Sequence, residues 1–419
     1  MNDYINKIIL SINALTQLKR IRMLNPVTAS MVIQGSEKYL NDIQDAVEVS
    51  KLFCSPFEIP GEDVNGFFKI ALTENNRPVG INEEEVHTLI CGQTSCGKTT
   101  LLKILFSQVL LFNKINPYEK TYSWIFAKAP DFRSLLKIDK DILFVTFKEI
   151  KINPLEPPPN INPIEWAGII ADVWIQAFRL YDASKSLLIE CLQTLYDKYS
   201  PHGYYPTLFD LYDYLKGLKF SAFSRTARYQ ESVLNRLTGL IYSSLAPVFD
   251  CSRSHINYLT DLNVVFELLY LTSEQQVFIV NYLLSYLFHY KLINETGSRH
   301  FVAIDDANLI FDVSYEKRPD LGLPIIHHLL TTVRKSKINI FACTQTPHQI
   351  GASMHSNSFA KIMFSLSNGK DIEVMQHSMG IRDSEQKDYC YKLKPREAVV
   401  KFSARYQEPF LARIPEVKI

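Results

Sequence analysis

The sequence predicts an α/β fold in which a mostly parallel central sheet presents a phosphate-binding loop. Three stretches carry that expectation. Gly92, Gly97, Lys98 and Thr99 fit the spacing G-x-x-x-x-G-K-[ST]. Phe301-Val302-Ala303-Ile304 is an apolar run that ends in Asp305 and Asp306. Ile338-Asn339-Ile340-Phe341-Ala342-Cys343 is a second such run, ending in Thr344 and Gln345. Strands buried on both faces read as continuous apolar runs, and ligands in such sheets sit at the strands' carboxyl ends.

The glycine-rich loop is convincing because of its flanks. Val86 to Cys91 is short, apolar and β-leaning, which suits a buried strand. Thr100 to Asn113 is rich in Leu, Ile, Val and Phe without Gly or Pro, which suits a buried helix whose N-terminus faces the ligand. A loop of this kind wraps phosphates with its backbone N–H groups, so Gly92, Gln93, Thr94, Ser95, Cys96, Gly97, Lys98, Thr99 and Thr100 form the expected nucleotide cradle. Lys98 reaches the outer phosphates, and the Thr99 hydroxyl is placed to hold Mg²⁺.

The remaining elements follow along the chain. Residues 1 to 50 read as helical and partly amphipathic, with Ile5, Ile8, Ile12, Leu15 and Leu18 on one face. Such an arm serves as an adaptor, as an oligomerisation element, or simply as a helix docked on the core. Phe67 to Leu72 and the turn Glu74-Asn75-Asn76-Arg77-Pro78 suggest a small hairpin. Thr121 to Ala127 and Ile142 to Phe147 are further strands. Asn153-Pro154-Leu155-Glu156-Pro157-Pro158-Pro159 is too proline-rich for regular structure. Helices are expected over Trp166–Leu180, Ser184–Tyr199, Leu208–Leu218 and Arg225–Leu245, then a strand over Asn263–Leu268 and a helix over Ser273–Tyr290. The expected organisation is an arm (1–60), a first part of the ATPase core (61–162), a helical insertion (163–255) and a second part of the core (256–419).

The strand ends supply chemistry. Asp305 is placed to hold Mg²⁺ through water, and Asp306 to polarise an attacking water. Gln345 is placed to orient water or report the γ-phosphate. Arg334 precedes the Gln345 strand and is either an arginine finger for a neighbouring subunit or a cation favoured at a helix C-terminus.

Composition bounds the function. A chain of 419 residues, 47% hydrophobic and 21% charged, reads as a soluble protein of one large or two modest units. The net charge of +1 neither announces nor excludes a nucleic-acid partner, because a ring can concentrate basic groups in its pore. The seven cysteines are scattered without a C-x-x-C, which suits reduced thiols and a cytoplasmic location. The start lacks signal-peptide character, and the most apolar window, Val264 to Tyr290, is interrupted by Glu267, Glu274, Gln275 and Gln276, so no membrane span is expected.

Taken together, these features resemble the HerA/FtsK superfamily of phosphate-loop ATPases, which includes conjugative coupling proteins and type IV secretion ATPases. The resemblance runs over most of residues 86 to 415. It rests on the loop Gly92 to Thr99, the Asn153-Pro154-Leu155 step, Ile304-Asp305-Asp306-Ala307 and Arg334-Lys335-Ser336-Lys337-Ile338. It continues through Cys343-Thr344-Gln345-Thr346-Pro347, Ser356-Asn357, Asn368-Gly369-Lys370-Asp371 and Leu393-Lys394-Pro395-Arg396-Glu397-Ala398. The resemblance implies a RecA-like core, ATP and Mg²⁺ as cofactors, a homo-oligomeric hexamer with sites between subunits, and DNA threaded through a pore. It also carries Lys98, Thr99, Asp305, Gln345 and Arg334 into the roles given above. Three departures stand out. Asp306 replaces the family's usual Glu, Arg396 replaces a Gly near the last strand, and the family's large N-terminal parts shrink to about eighty residues.

The function this implies is an ATP-hydrolysing DNA translocase that works with a separate nuclease or effector subunit, in DNA processing or antiphage defence. Two alternatives stand beside it: a nucleotide-gated scaffold that activates or restrains a partner, and a secretion-type ATPase.

Overall fold

The computed structural model describes residues 55–116, 120–221, 223–317 and 325–416. The expected amphipathic arm at residues 1 to 50 lies outside them. The chain divides into two units, Met1–Glu58 with Asp383–Tyr389, and Ile59–Arg382 with Cys390–Ile419. In the described part of the first, the Phe57 and Tyr389 rings meet edge to face at 6.1 Å. Everything below concerns the second.

Its frame is an 11-stranded sheet in the order β2-β1-β11-β10-β9-β3-β8-β7-β4-β6-β5. The strands are β1 (Phe68–Thr73), β2 (Pro78–Ile81), β3 (Thr88–Cys91), β4 (Thr121–Ala127), β5 (Leu143–Val145), β6 (Val264–Glu267), β7 (Arg299–Ile304), β8 (Ile338–Thr344), β9 (Ala360–Phe364), β10 (Glu397–Phe402) and β11 (Phe410–Arg413). The run from β9 to β5 is parallel throughout. Its central strands β3 and β8 are buried at every residue, as suits their largely apolar sequences. From β9 outward to β2 the ladders are antiparallel. The expected hairpin is β1–β2, joined through Asn76 in the left-handed conformation at φ 61°.

Helix α1 (Lys98–Ile115) follows β3 and buries Leu101, Leu102, Leu105, Phe106 and Val109. Phe106 meets Phe341 of β8, which packs on Phe301 of β7, which in turn packs on Phe68 of β1. This aromatic chain ties the loop-bearing helix to both halves of the sheet.

Among the described residues, the four longest helices between β5 and β6 are α2 (Pro163–Phe178), α3 (Asp182–Tyr199), α4 (Leu208–Gly217) and α5 (Arg225–Ile241). Three of these four starts are capped by a side chain, and α3, after Tyr181, is not. Asn162 caps α2 ahead of Pro163, Thr207 and Asp210 form a reciprocal capping box on α4, and Ser224 caps α5. Helix α5 ends at Ile241 rather than running to Leu245, and a separate turn, Ala246–Phe249, carries Pro247 as its second residue. Helix α6 (Ser273–Asn294) is buried almost all round, which is why its sequence shows little amphipathic pattern. It runs past Tyr290 to Asn294 and stops where Glu295 turns left-handed at φ 45°. The strand expected over Ile142–Phe147 narrows to the edge strand β5, because Phe147 takes φ 58°.

The proline-rich step after β5 is a buried knot. Asn153 is fully buried and its side-chain amide donates to Pro206 O and Ser252 O at 3.1 and 3.3 Å. Its Oδ1 accepts from the Leu155 N–H, and its backbone N–H donates to Ser254 Oγ. Tyr282 of α6 donates to Asn153 O, Trp166 of α2 to Pro154 O, and Tyr196 of α3 to Leu155 O. An irregular backbone can be buried only if its polar groups are satisfied, and these side chains satisfy them. The step therefore fastens three helices to the end of β5.

Candidate active site

The phosphate loop leaves β3 at Gly92, whose N–H donates to Thr344 O at 3.1 Å, while Gln93 N–H donates to Ser365 O at 2.8 Å. The loop is thus stitched to the ends of β8 and β9. A Cβ at Gly92 would lie 2.7 Å from Phe364 Cβ, so only glycine fits. Ser95 adopts φ 62°, and Gly97, at φ 125°, begins α1 in a conformation that side chains resist. No side chain caps α1, and its first turn holds no acid. Lys98 is buried and its ammonium donates to Gly92 O at 2.6 Å and Gln93 O at 2.8 Å. Positive charge and an uncapped helix start meet at one point, which is the arrangement that binds phosphate. The loop thiol, Cys96, is buried and pushed above its ordinary pKa by that burial, as is Cys343 beneath it. Neither is suited to nucleophilic work.

Parallel pairing brings the carboxyl ends of β3, β8, β7 and β4 side by side. A cavity of 520 Å³ opens there, lined by Thr94, Lys98, Thr99, Asp305, Asp306 and Gln345, among others. Asp305 is anchored by its N–H to Phe126 O at 3.0 Å. Burial pushes its carboxyl above the ordinary value, opposed by a hydrogen bond from the Lys128 backbone and by the charge of Lys98. Gln345 is exposed and accepts a hydrogen bond from Thr94 Oγ1 at 3.2 Å. The turn after Gln345 is tied to the acid-bearing turn, since Asn308 bonds Thr344 and Thr346 and reaches Gln349 at 3.1 Å.

The structure therefore gathers the whole cradle Gly92–Thr100, both acids and Gln345 around one helix start. Arg334 is on the last turn of α7 (Ile325–Ser336), and its side chain lies outside the described residues. Two residues that sequence reading passed over belong to the site. Lys128 follows β4 directly and its ammonium pairs with Asp306. The signal was an apolar strand ending in a charge, Phe126-Ala127-Lys128, of the same kind as the acid-ended strand. Asn308 carried no local signal.

Arg396 also belongs here. It takes φ 68°, which explains why a Gly suits that position, and its N–H donates to Cys96 O at 2.9 Å. With Pro395 and Glu416 it lines a second cavity, of 390 Å³, on the other side of Gly97, Lys98, Thr99 and Thr100. Arg396 pairs with Glu416 at 3.4 Å.

The oxygen donors suit a hard cation. Thr99 and Asp305 share the larger cavity, and Mg²⁺ is ordinarily held by one or two carboxylates together with substrate phosphates. Among the described residues no group of three or more His, Cys, Asp or Glu forms a self-sufficient metal site.

This frame, a RecA-like α/β core with a phosphate loop before the first parallel-sheet helix, defines a nucleotide-handling class of fold. VirB4 of Thermoanaerobacter pseudethanolicus superposes with a TM-score of 0.63 at 15% identity, covering 86% of this chain and 98% of that one. The bacterial conjugative coupling protein TrwBΔN70 with sulphate gives 0.63 at 14% identity, covering 87% and 97%. TrwB in complex with the non-hydrolysable GTP analogue GDPNP gives 0.61 at 12% identity. The chain thus shares its fold with VirB4 and TrwB. No protein-family model matches the sequence, and no curated protein matches it. No helix among the described residues is long and apolar enough to cross a membrane.

Proposed function

We propose that the chain is an ATP-hydrolysing motor subunit that moves DNA, acting as a ring with sites between subunits. The observation that carries this reading is the convergence of Lys98, Thr99, Asp305, Asp306 and Gln345 on one cavity at an uncapped helix start, in a frame shared with TrwB and VirB4. In this reading the loop amides and Lys98 hold the phosphates, with the nucleoside toward the Arg396 cavity. Thr99 and Asp305 hold Mg²⁺, which supplies charge neutralisation when bound. Asp306 accepts a hydrogen bond from the attacking water, and Gln345 orients it. Water adds to the outermost phosphorus as the bond to the bridging oxygen breaks, ADP departs, and the proton passes through Asp306 to the released phosphate. Arg334 acts from a neighbouring subunit. DNA is gripped through its phosphates without reading sequence.

A second reading is favoured by one observation. Asp306 is both a methylene shorter than Glu and paired to Lys128, which suits slow hydrolysis and a nucleotide-gated scaffold for a partner nuclease or effector. ATP turnover by the wild type and Lys98→Ala, with and without double-stranded DNA, separates the two. The motor reading expects DNA to raise the rate severalfold, Lys98→Ala to remove it, and DNA binding to weaken steeply with salt. Turnover that stays low with DNA present contradicts the motor and leaves the scaffold.

A further inference from the structure

We propose that Lys128 is a phosphate-sensing and positioning residue. Its ammonium holds Asp306 in the nucleotide-free protein and transfers to the outermost phosphate of a nucleoside triphosphate, which releases Asp306 to the attacking water. The inference rests on the nucleotide reading above and adds a residue that discriminates triphosphate from diphosphate.

The placement is dictated by the sheet. β4 and β7 are parallel neighbours in register, with Phe126 opposite Ile304, so the residues that leave both strands emerge together. Lys128 consequently faces both acids. Its ammonium pairs with Asp306, and its backbone N–H supports the Asp305 carboxylate. One residue therefore organises the acid pair, although 178 positions separate it from Asp306.

Magnitudes decide which partner the ammonium keeps. The side chains of Lys128 and Asp306 are 46% and 27% exposed. Ion pairs this exposed are weak, so releasing Asp306 costs little. Lys128 also lines the same cavity as Lys98, Thr99 and Gln345. A terminal phosphate there offers a multiply charged acceptor, against the single charge of Asp306, so the Coulomb attraction on the ammonium is larger toward the phosphate. A carboxylate held by an ammonium is a poor partner for water, so Asp306 is unavailable while the pair is closed. A diphosphate lacks the group that draws Lys128 away and leaves the pair closed.

The test is equilibrium binding of ADP and of a non-hydrolysable ATP analogue to wild type, Lys128→Met, Lys128→Arg and Asp306→Asn. Lys128→Met is expected to weaken the analogue roughly tenfold, the size of one charged contact, and to change ADP less than about twofold. Lys128→Arg keeps most of the preference. Asp306→Asn, which removes the competing partner, tightens the analogue severalfold and leaves ADP nearly unchanged. Equal weakening of both nucleotides by Lys128→Met, or equal tightening of both by Asp306→Asn, overturns the proposal while the nucleotide site stands. A wild type that binds neither nucleotide overturns the site itself, and the proposal with it.

Discussion

Helices α1 and α6 begin in opposite ways. Helix α6 starts closed: Thr272 Oγ1 accepts from the Gln275 N–H and Gln275 Oε1 accepts from the Thr272 N–H, a complete capping box. Helix α1 starts at a glycine with φ 125°, without a side-chain cap or an acid in its first turn, and with Lys98 as its first residue. Capping rules and dipole complementarity both disfavour that start. Side chains cap the starts of α2, α4, α5 and α6, and α3, which has no side-chain cap, carries Asp182 in its first turn. Of the six starts α1 to α6, α1 is the one with neither a side-chain cap nor an acid in its first turn, and it lies at the carboxyl edge of the parallel strands, where a ligand can use the open backbone donors.

The contrast breaks most sharply at Lys98. Lys98→Ala is expected to weaken ATP binding at least roughly a hundredfold, because the buried ammonium is the charge at the open start. Calorimetric titration measures it, and an affinity within tenfold of wild type contradicts the assignment.

The strand leading into α1 carries an acid limit. His87 is buried, its Nδ1 accepts from the Ile340 N–H at 3.1 Å, and burial lowers its pKa from 6.5 to about 4. Burial holds His289, His300 and His355 neutral in the same direction. The unfolded chain takes up a proton near 6.5 while folded His87 refuses it until about 4. Stability present at pH 7 is therefore lost as pH falls through that window, by about 3 kcal/mol for His87 alone across its whole width. Urea midpoints at pH 7 and pH 5 test this, with equal midpoints as the contrary result.

Asn153 supplies a second closed site. Asn153→Ala is expected to cost about 2 kcal/mol, since it leaves Pro206 O, Ser252 O and the Leu155 N–H short of a partner. Urea unfolding reads the loss, while analogue affinity of the folded protein stays unchanged. The smallest effect sharpens the comparison directly. Thr272→Ala is expected to cost about 1 kcal/mol of stability and nothing in nucleotide affinity, the reverse of Lys98→Ala.

How much of this was legible in the sequence depended on distance along the chain. The cradle Gly92–Thr100 could be read because loop, strand and helix are contiguous, and the acids and Gln345 because apolar runs announce buried strands. The helix expected from Leu208 likewise starts there in the structure. Strand order was not legible, since it is settled by packing between distant segments, and the Lys128–Asp306 pair depends entirely on β4 lying beside β7. The Asn153 step was visible as irregular, yet its partners Ser252, Ser254 and Tyr282 come from far downstream. Arg396 read as an oddity until its left-handed backbone gave the physical reason.

The most direct test of the open helix start is amide hydrogen exchange with and without a non-hydrolysable ATP analogue. The account predicts that amides from Gln93 to Thr100 slow markedly on addition of the analogue, while those from Ser273 to Gln276 keep their rates. Unchanged exchange across Gln93–Thr100 at saturating analogue, or equal slowing at both helix starts, would contradict it.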